Sequence, residues 1–124
     1  MLHPKEITIA EVLKDAGYST AMVGKWHLAG GRKNRYDPKL MPNAQGFDYF
    51  FGTPLHNGFT RTVDHKSFKT QLMRNGKILR DALDQEDMDL LTQVYTKEAV
   101  EFIRSNKDRP LFLYLAHNMP HVPL

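Results

Sequence analysis

Lys25 and His27 stand two residues apart, directly behind a short apolar run in residues 17–28, GYSTAMVGKWHL. In an extended chain, side chains two apart point to the same face. An ammonium and an imidazole presented together suit an oxyanion such as sulfate or phosphate, through charge-assisted hydrogen bonds. A second group of polar residues lies at the other end of the chain. His117, Asn118 and His121 follow the run Leu111-Phe112-Leu113-Tyr114-Leu115-Ala116. Both groups sit just past a strand-like segment, and open α/β sheets bind ligands outside the carboxyl ends of their strands. The Lys-His spacing by itself fits a solvated strand end equally well. A third cluster, Glu86, Asp87 and Asp89, reads as a helix start, because neighbouring helix positions fan outward and do not converge on a metal.

The flanking sequence supplies elements to position these groups. Thr8-Ile9-Ala10-Glu11 has the form of a capping box, and Ile9, Val12, Leu13 and Ala16 recur on one helical face, with Gly17 as the closing residue. This predicts a helix over 8–16 and a buried strand over 19–23. Residues 29–45 read as a loop; its basic residues Arg32, Lys33, Arg35 and Lys39 make either a rim that attracts an anion or an ordinary solvated surface. Residues 46–52, GFDYFFG, read as a buried strand followed by a turn through 53–58. Residues 59–71, with His65 and Lys66, read as surface loop. Asn75-Gly76 between short apolar runs predicts a hairpin over 71–79, lying outside the main sheet. Met88, Leu91, Tyr95, Ala99 and Phe102 predict a helix over 85–106. The continuous apolar run 111–116 predicts a strand buried on both faces, as in a parallel sheet. The fold class is therefore α/β, a partly parallel sheet flanked by helices.

Composition bounds the rest. The chain has 124 residues, a net charge of +3 and no Cys. Scattered Lys and Arg argue against nucleic acid, and no apolar run approaches the ~20 residues of a membrane span. The amino terminus lacks the layout of a signal peptide. Disulfides and cysteine-ligated metals are excluded.

Several of these residues carry a resemblance. Gly17-Tyr18-x-Thr20-x-x-Val23-Gly24-Lys25-Trp26-His27 resembles the second signature of the sulfatases, the arylsulfatase-like branch of the alkaline-phosphatase-like superfamily. Gly46-Phe47-Asp48-Tyr49-Phe50-Phe51-Gly52 with Pro54 resembles a second block of that family. Residues 109–116 followed by Pro120-His121-Val122-Pro123 resemble a third. The resemblance covers blocks at 8–28, 46–58 and 85–124 and implies one partial catalytic domain, a slice of the family's amino-terminal domain.

The resemblance implies that Lys25, His27 and His121 contact the sulfate ester. His56 is a weaker substrate-binding candidate, and nothing transfers to His117 or Asn118. It further implies a covalent enzyme–sulfate intermediate, formed on a formylglycine nucleophile near a calcium ion. Neither the Cys/Ser-x-Pro-x-Arg motif that yields formylglycine nor the family's metal ligands occur in this sequence. The implied reading is an internal segment, inactive in isolation, of a sulfuric ester hydrolase. Its partner would be a sulfated small molecule or carbohydrate, with no nucleic acid or membrane. Such enzymes are typically periplasmic, secreted or lysosomal. A phosphatase or phosphonate hydrolase of the same superfamily, or a non-catalytic anion-binding remnant that does not fold alone, are the alternatives. The geometric expectation is that Lys25, His27 and His121 converge at one edge of one sheet.

Overall fold

The computed structural model describes residues 1–3, 5–32, 35–55 and 70–120, without the side chains of residues 31, 32 and 35. Within these, the elements run α1 (Ile9–Asp15), β1 (Ser19–Lys25), β2 (Gly30–Arg32), β3 (Arg35–Tyr36), β4 (Tyr49–Thr53), β5 (Leu72–Arg74), β6 (Lys77–Arg80), α2 (Gln85–Ser105) and β7 (Leu111–Ala116). Five strands form one sheet in the order β6-β5-β4-β1-β7. Strand β1 pairs parallel with both β4 and β7, while β4, β5 and β6 are antiparallel neighbours. The expected α/β class is thus observed.

Alternation along the strands divides the core. Met22 and Phe50 face one side, with Ala10, Trp26, Leu40, Met41 and Phe47. Val23 and Phe51 face the other, against Met88, Leu91 and Tyr95 of α2. This is the period-two pattern of a sheet covered on both faces. Helix α2 begins at Asp84, whose carboxylate accepts from the Asp87 N–H, while Asp87 accepts from the Asp84 N–H. Arg80 donates to both Asp87 oxygens at 2.7 and 2.9 Å, and Asp89 accepts from Gln85 at 2.8 Å. That hydrogen bond from Arg80, the largest influence, helps hold the Asp87 carboxyl below its ordinary range. Asp87 and Asp89 are therefore occupied in local pairing at a helix start.

Four expectations need correction. The capping box of α1 forms as read, but the face chosen for burial does not face the core. Ala10 is buried, whereas Ile9 and Val12 are 64% and 56% exposed. Residues 29–45 are not an unstructured loop: β2 and β3 pair as a small ribbon, followed by two 3-10 turns at Pro38–Leu40 and Pro42–Ala44.

The hairpin is part of the main sheet. Asn75 and Gly76 both adopt positive φ, as a type I′ turn requires. The Phe50 N–H donates to Asn75 Oδ1 at 2.8 Å and the Asn75 N–H to Phe50 O at 2.9 Å, which sets β5 beside β4. Glu98 of α2, which accepts from both Tyr49 and Arg74, ties the same strands to the helix. Burial, reinforced by Glu98, pushes the Tyr49 phenol up to about 12.

Finally, β7 is not buried on both faces. It lies at the edge of the described sheet, and Tyr114 and Leu115 are exposed. An apolar run carries no information about whether a further strand covers it.

Candidate functional site

Strand β1 is buried from Ser19 to Gly24 and reaches the carboxyl edge of the sheet at Lys25, which is partly exposed. The approach to this edge is made by glycines. A Cβ on Gly24 would lie 1.9 Å from Ala116 O, and one on Gly52 would lie 1.8 Å from Gly24 O. Strands β4, β1 and β7 are therefore drawn close just before their carboxyl ends, and Gly24, at φ 119°, also takes a backbone conformation that other residues resist.

Beyond Lys25 the chain alternates between burial and exposure. Trp26 is buried, donates from Nε1 to Leu40 O at 2.8 Å and meets Phe47 edge-on. His27 is exposed and sits at φ 55°. Strand β1 has ended by this point, so the extended alternation that would align Lys25 with His27 stops short of His27. A left-handed histidine is uncommon, costs of order 1–3 kcal/mol, and persists only where its surroundings impose it. Here the backbone is fastened on both sides. The Trp26 N–H donates to Thr53 O and the His27 N–H to Pro54 O, each at 3.0 Å, and Leu28 O accepts from the Leu2 N–H at 2.8 Å.

The end of β4 that receives these bonds belongs to a buried polar cluster. Tyr95 Oη donates to Asn118 Oδ1 at 3.0 Å, and Asn118 Nδ2 donates to Thr53 Oγ1 at 3.2 Å. Thr53, Tyr95 and Asn118 are 0%, 0% and 3% exposed. Burial pushes the Tyr95 phenol far above its ordinary value, with hydrogen bonds from Thr53 opposing in part, so the cluster stays neutral. The His117 ring lies 6.0 Å from that of Tyr95, and its Nδ1 is buried without a hydrogen-bond partner among the described residues.

Of the residues expected at a site, Lys25 and His27 stand at the carboxyl end of β1. The segment 117–120 leaves β7 at the same edge, since β1 and β7 are parallel neighbours. His121 and His56 lie outside the described residues, as do His65, Lys66 and the side chains of Arg32, Lys33 and Arg35. The sequence marks neither Thr53 nor Tyr95 as a site residue and assigns Asn118 no role. No motif marks them, because their association rests on contacts between residues 23 and 65 apart in the chain.

The structure is thus an α/β sheet with Lys25 and His27 at the carboxyl end of β1, an edge it shares with its parallel neighbours β4 and β7. The comparisons make this specific. The Sulfatase family model matches residues 2–124, and the chain belongs to the sulfatase family. It is 35% identical over 130 residues to an arylsulfatase of Hemicentrotus pulcherrimus, a match covering 99% of this chain and 23% of that protein. Among solved structures it is similar to Ps i-CgsB in complex with k-i-k-neocarrahexaose (TM-score 0.70, 30% identity, 98% of this chain and 28% of the other). It is also similar to the PsFucS1 sulfatase from Pseudoalteromonas sp. (TM-score 0.72, 25% identity, 96% and 28%). The chain thus spans about a quarter of the length of the relatives it matches.

The family implies a calcium ion and a formylglycine. The sequence has no Cys and no Cys/Ser-x-Pro-x-Arg motif, and no group of three or more His, Asp or Glu among the described residues can hold a metal. These residues do not fit either group.

Proposed function

We propose that this chain supplies the sulfate-binding part of a site for hydrolysis of sulfate esters, and that it does not turn them over alone. Lys25 neutralises sulfate oxygens. His27 and His121 hold the ester and leaving-group oxygens, and one of them delivers a proton to the departing alcohol. His56 is a weaker contributor to substrate binding. No step here runs through calcium or formylglycine, which would have to be provided by polypeptide beyond these residues. The observation that carries this reading is the parallel pairing of β1 and β7, which brings Lys25 and the segment leading to His121 to one edge of the sheet. The exposed apolar residues Ile9, Val12, Tyr114 and Leu115 support a further part of it, that more of a sulfatase domain covers α1 and β7. The carbohydrate in the Ps i-CgsB complex supports a carbohydrate as the substrate class, and membership of the sulfatase family supports a sulfated one.

Titration calorimetry of the chain with inorganic sulfate tests the reading. Lys25→Ala is expected to weaken binding about tenfold or more, the value of a charge-assisted hydrogen bond, with the thermal transition unchanged. Equal affinity of the two proteins overturns it. Phosphate binding much more tightly than sulfate would move the assignment to a phosphoryl-transfer relative. An aryl sulfatase activity of the chain that disappears in Lys25→Ala would overturn the claim that it is inactive alone.

A further inference from the structure

Resting on the sulfate-binding reading, we propose that Asn118 is a positioning residue that locks the two arms of the site together. The arms are the His27 turn after β1 and the segment 117–120 after β7. They lie about 90 positions apart in the chain, and both must hold still if one anion is to be gripped from both sides.

The Asn118 side chain makes that connection. A primary amide offers one acceptor oxygen and two donor hydrogens in a fixed plane. Its oxygen takes the hydroxyl of Tyr95, from the middle of α2, at 3.0 Å. Its nitrogen gives to Thr53 Oγ1, the last residue of β4, at 3.2 Å. Thr53 then continues the link through its backbone. Its carbonyl holds the Trp26 N–H, and the carbonyl of the next residue, Pro54, holds the His27 N–H. The path from Asn118 to the left-handed His27 thus crosses Thr53 and Pro54, and α2 braces it through Tyr95. The three side chains in the network are buried and neutral, so water cannot replace a lost partner. Gly24 and Gly52 draw the strands together just below this level. The His27 backbone is therefore imposed by the same residues that fix the exit of β7.

A merely structural Asn118 would lower stability everywhere. A positioning Asn118 acts on the His27 turn first. Amide hydrogen exchange of the 124-residue chain separates the two. In Asn118→Leu, of similar size but apolar, the Trp26 and His27 amides are expected to exchange about tenfold faster relative to Ala21, Met22 and Val23. The Kd for inorganic sulfate should rise by about the same factor. Tyr95→Phe should give a smaller change in the same two amides and adds nothing in the double variant with Asn118→Leu. Thr53→Val should behave like Asn118→Leu, while Thr53→Ser, which keeps the hydroxyl, restores the wild-type pattern. If Asn118→Leu does not fold, Tyr95→Phe and the Thr53 pair carry the test.

Acceleration spread evenly over β1, or unchanged Trp26 and His27 amides in these variants, overturns the proposal. Wild-type chain that binds no sulfate defeats the sulfate-binding reading, while the exchange pattern still decides whether Asn118 links the two arms.

Discussion

Strands β1 and β4 carry a polar cluster at each end, and the two clusters are built in opposite ways. At the amino end, Asp48 accepts from the Thr20 N–H and Oγ1 at 3.1 Å each and pairs with Lys14 at 2.7 Å. Both charged side chains are nearly half exposed, 44% for Asp48 and 49% for Lys14. Burial raises the Asp48 carboxyl, but the bonds from Lys14 and Thr20 outweigh it and hold the group below its ordinary value. At the carboxyl end, Thr53, Tyr95 and Asn118 are neutral and sealed from water. At the amino end the charged Asp48 and Lys14 side chains can exchange a lost partner for solvent, although Thr20 itself is buried. The carboxyl-end cluster cannot, so it holds its geometry more stiffly. Lys25 and His27, the pair proposed to bind sulfate, stand at this second end, and that proposal calls for a fixed arrangement of donors there.

The sharpest way to break this comparison is to force the strands apart at the carboxyl end. Gly24→Ala puts a methyl 1.9 Å from Ala116 O at a φ of 119°, where β1 and β7 are in direct register. It is expected to cost about 3 kcal/mol or more in urea denaturation, beyond ordinary overpacking. A loss under about 1 kcal/mol would show that the strands separate easily and that this end is not the rigid one.

At the amino end a smaller effect is expected. Asp48→Ala should cost about 1 kcal/mol at neutral pH, because solvent replaces part of what is lost. The sign of its pH dependence follows from the lowered carboxyl. The stabilisation is present above 3.8, the unfolded value, and disappears as pH falls through the folded one. The gap between wild type and Asp48→Ala should therefore close below that pH. A gap that persists into strong acid would assign the effect to packing.

The smallest effect belongs to an exposed position that is a member of neither cluster. Val12→Lys, on the exposed face of α1, should alter stability by no more than about 0.5 kcal/mol. A large loss would mean that this face is covered in the folded chain.

Much of this architecture is readable from local chemistry. Thr8-x-x-Glu11 capped α1, Asn75-Gly76 turned β5 into β6, and the stripe Met88, Leu91, Tyr95, Ala99 buried the inner face of α2. Each rests on interactions between residues a few positions apart, which the residue types themselves specify. The motif around Lys25 and His27 is likewise a property of eleven consecutive positions, and it led to the family.

The rest depended on residues far apart in the chain. Residues 111–116 are apolar whatever lies beside them, so whether β7 is central or peripheral is settled by the neighbours it has in space. Ile9 and Val12 fit a helical stripe, but the sheet lies against Ala10. Strand β5 belongs to the main sheet because Asn75 meets Phe50, and Asn118 matters because Thr53 and Tyr95 close on it. Helix caps, turns and the Lys-Trp-His motif were determined by the sequence alone, since their energies are local. The edge of the sheet, the left-handed His27 and the buried bridge behind it were decided by tertiary structure, since a hydrogen bond between distant residues exists only once the whole sheet has formed.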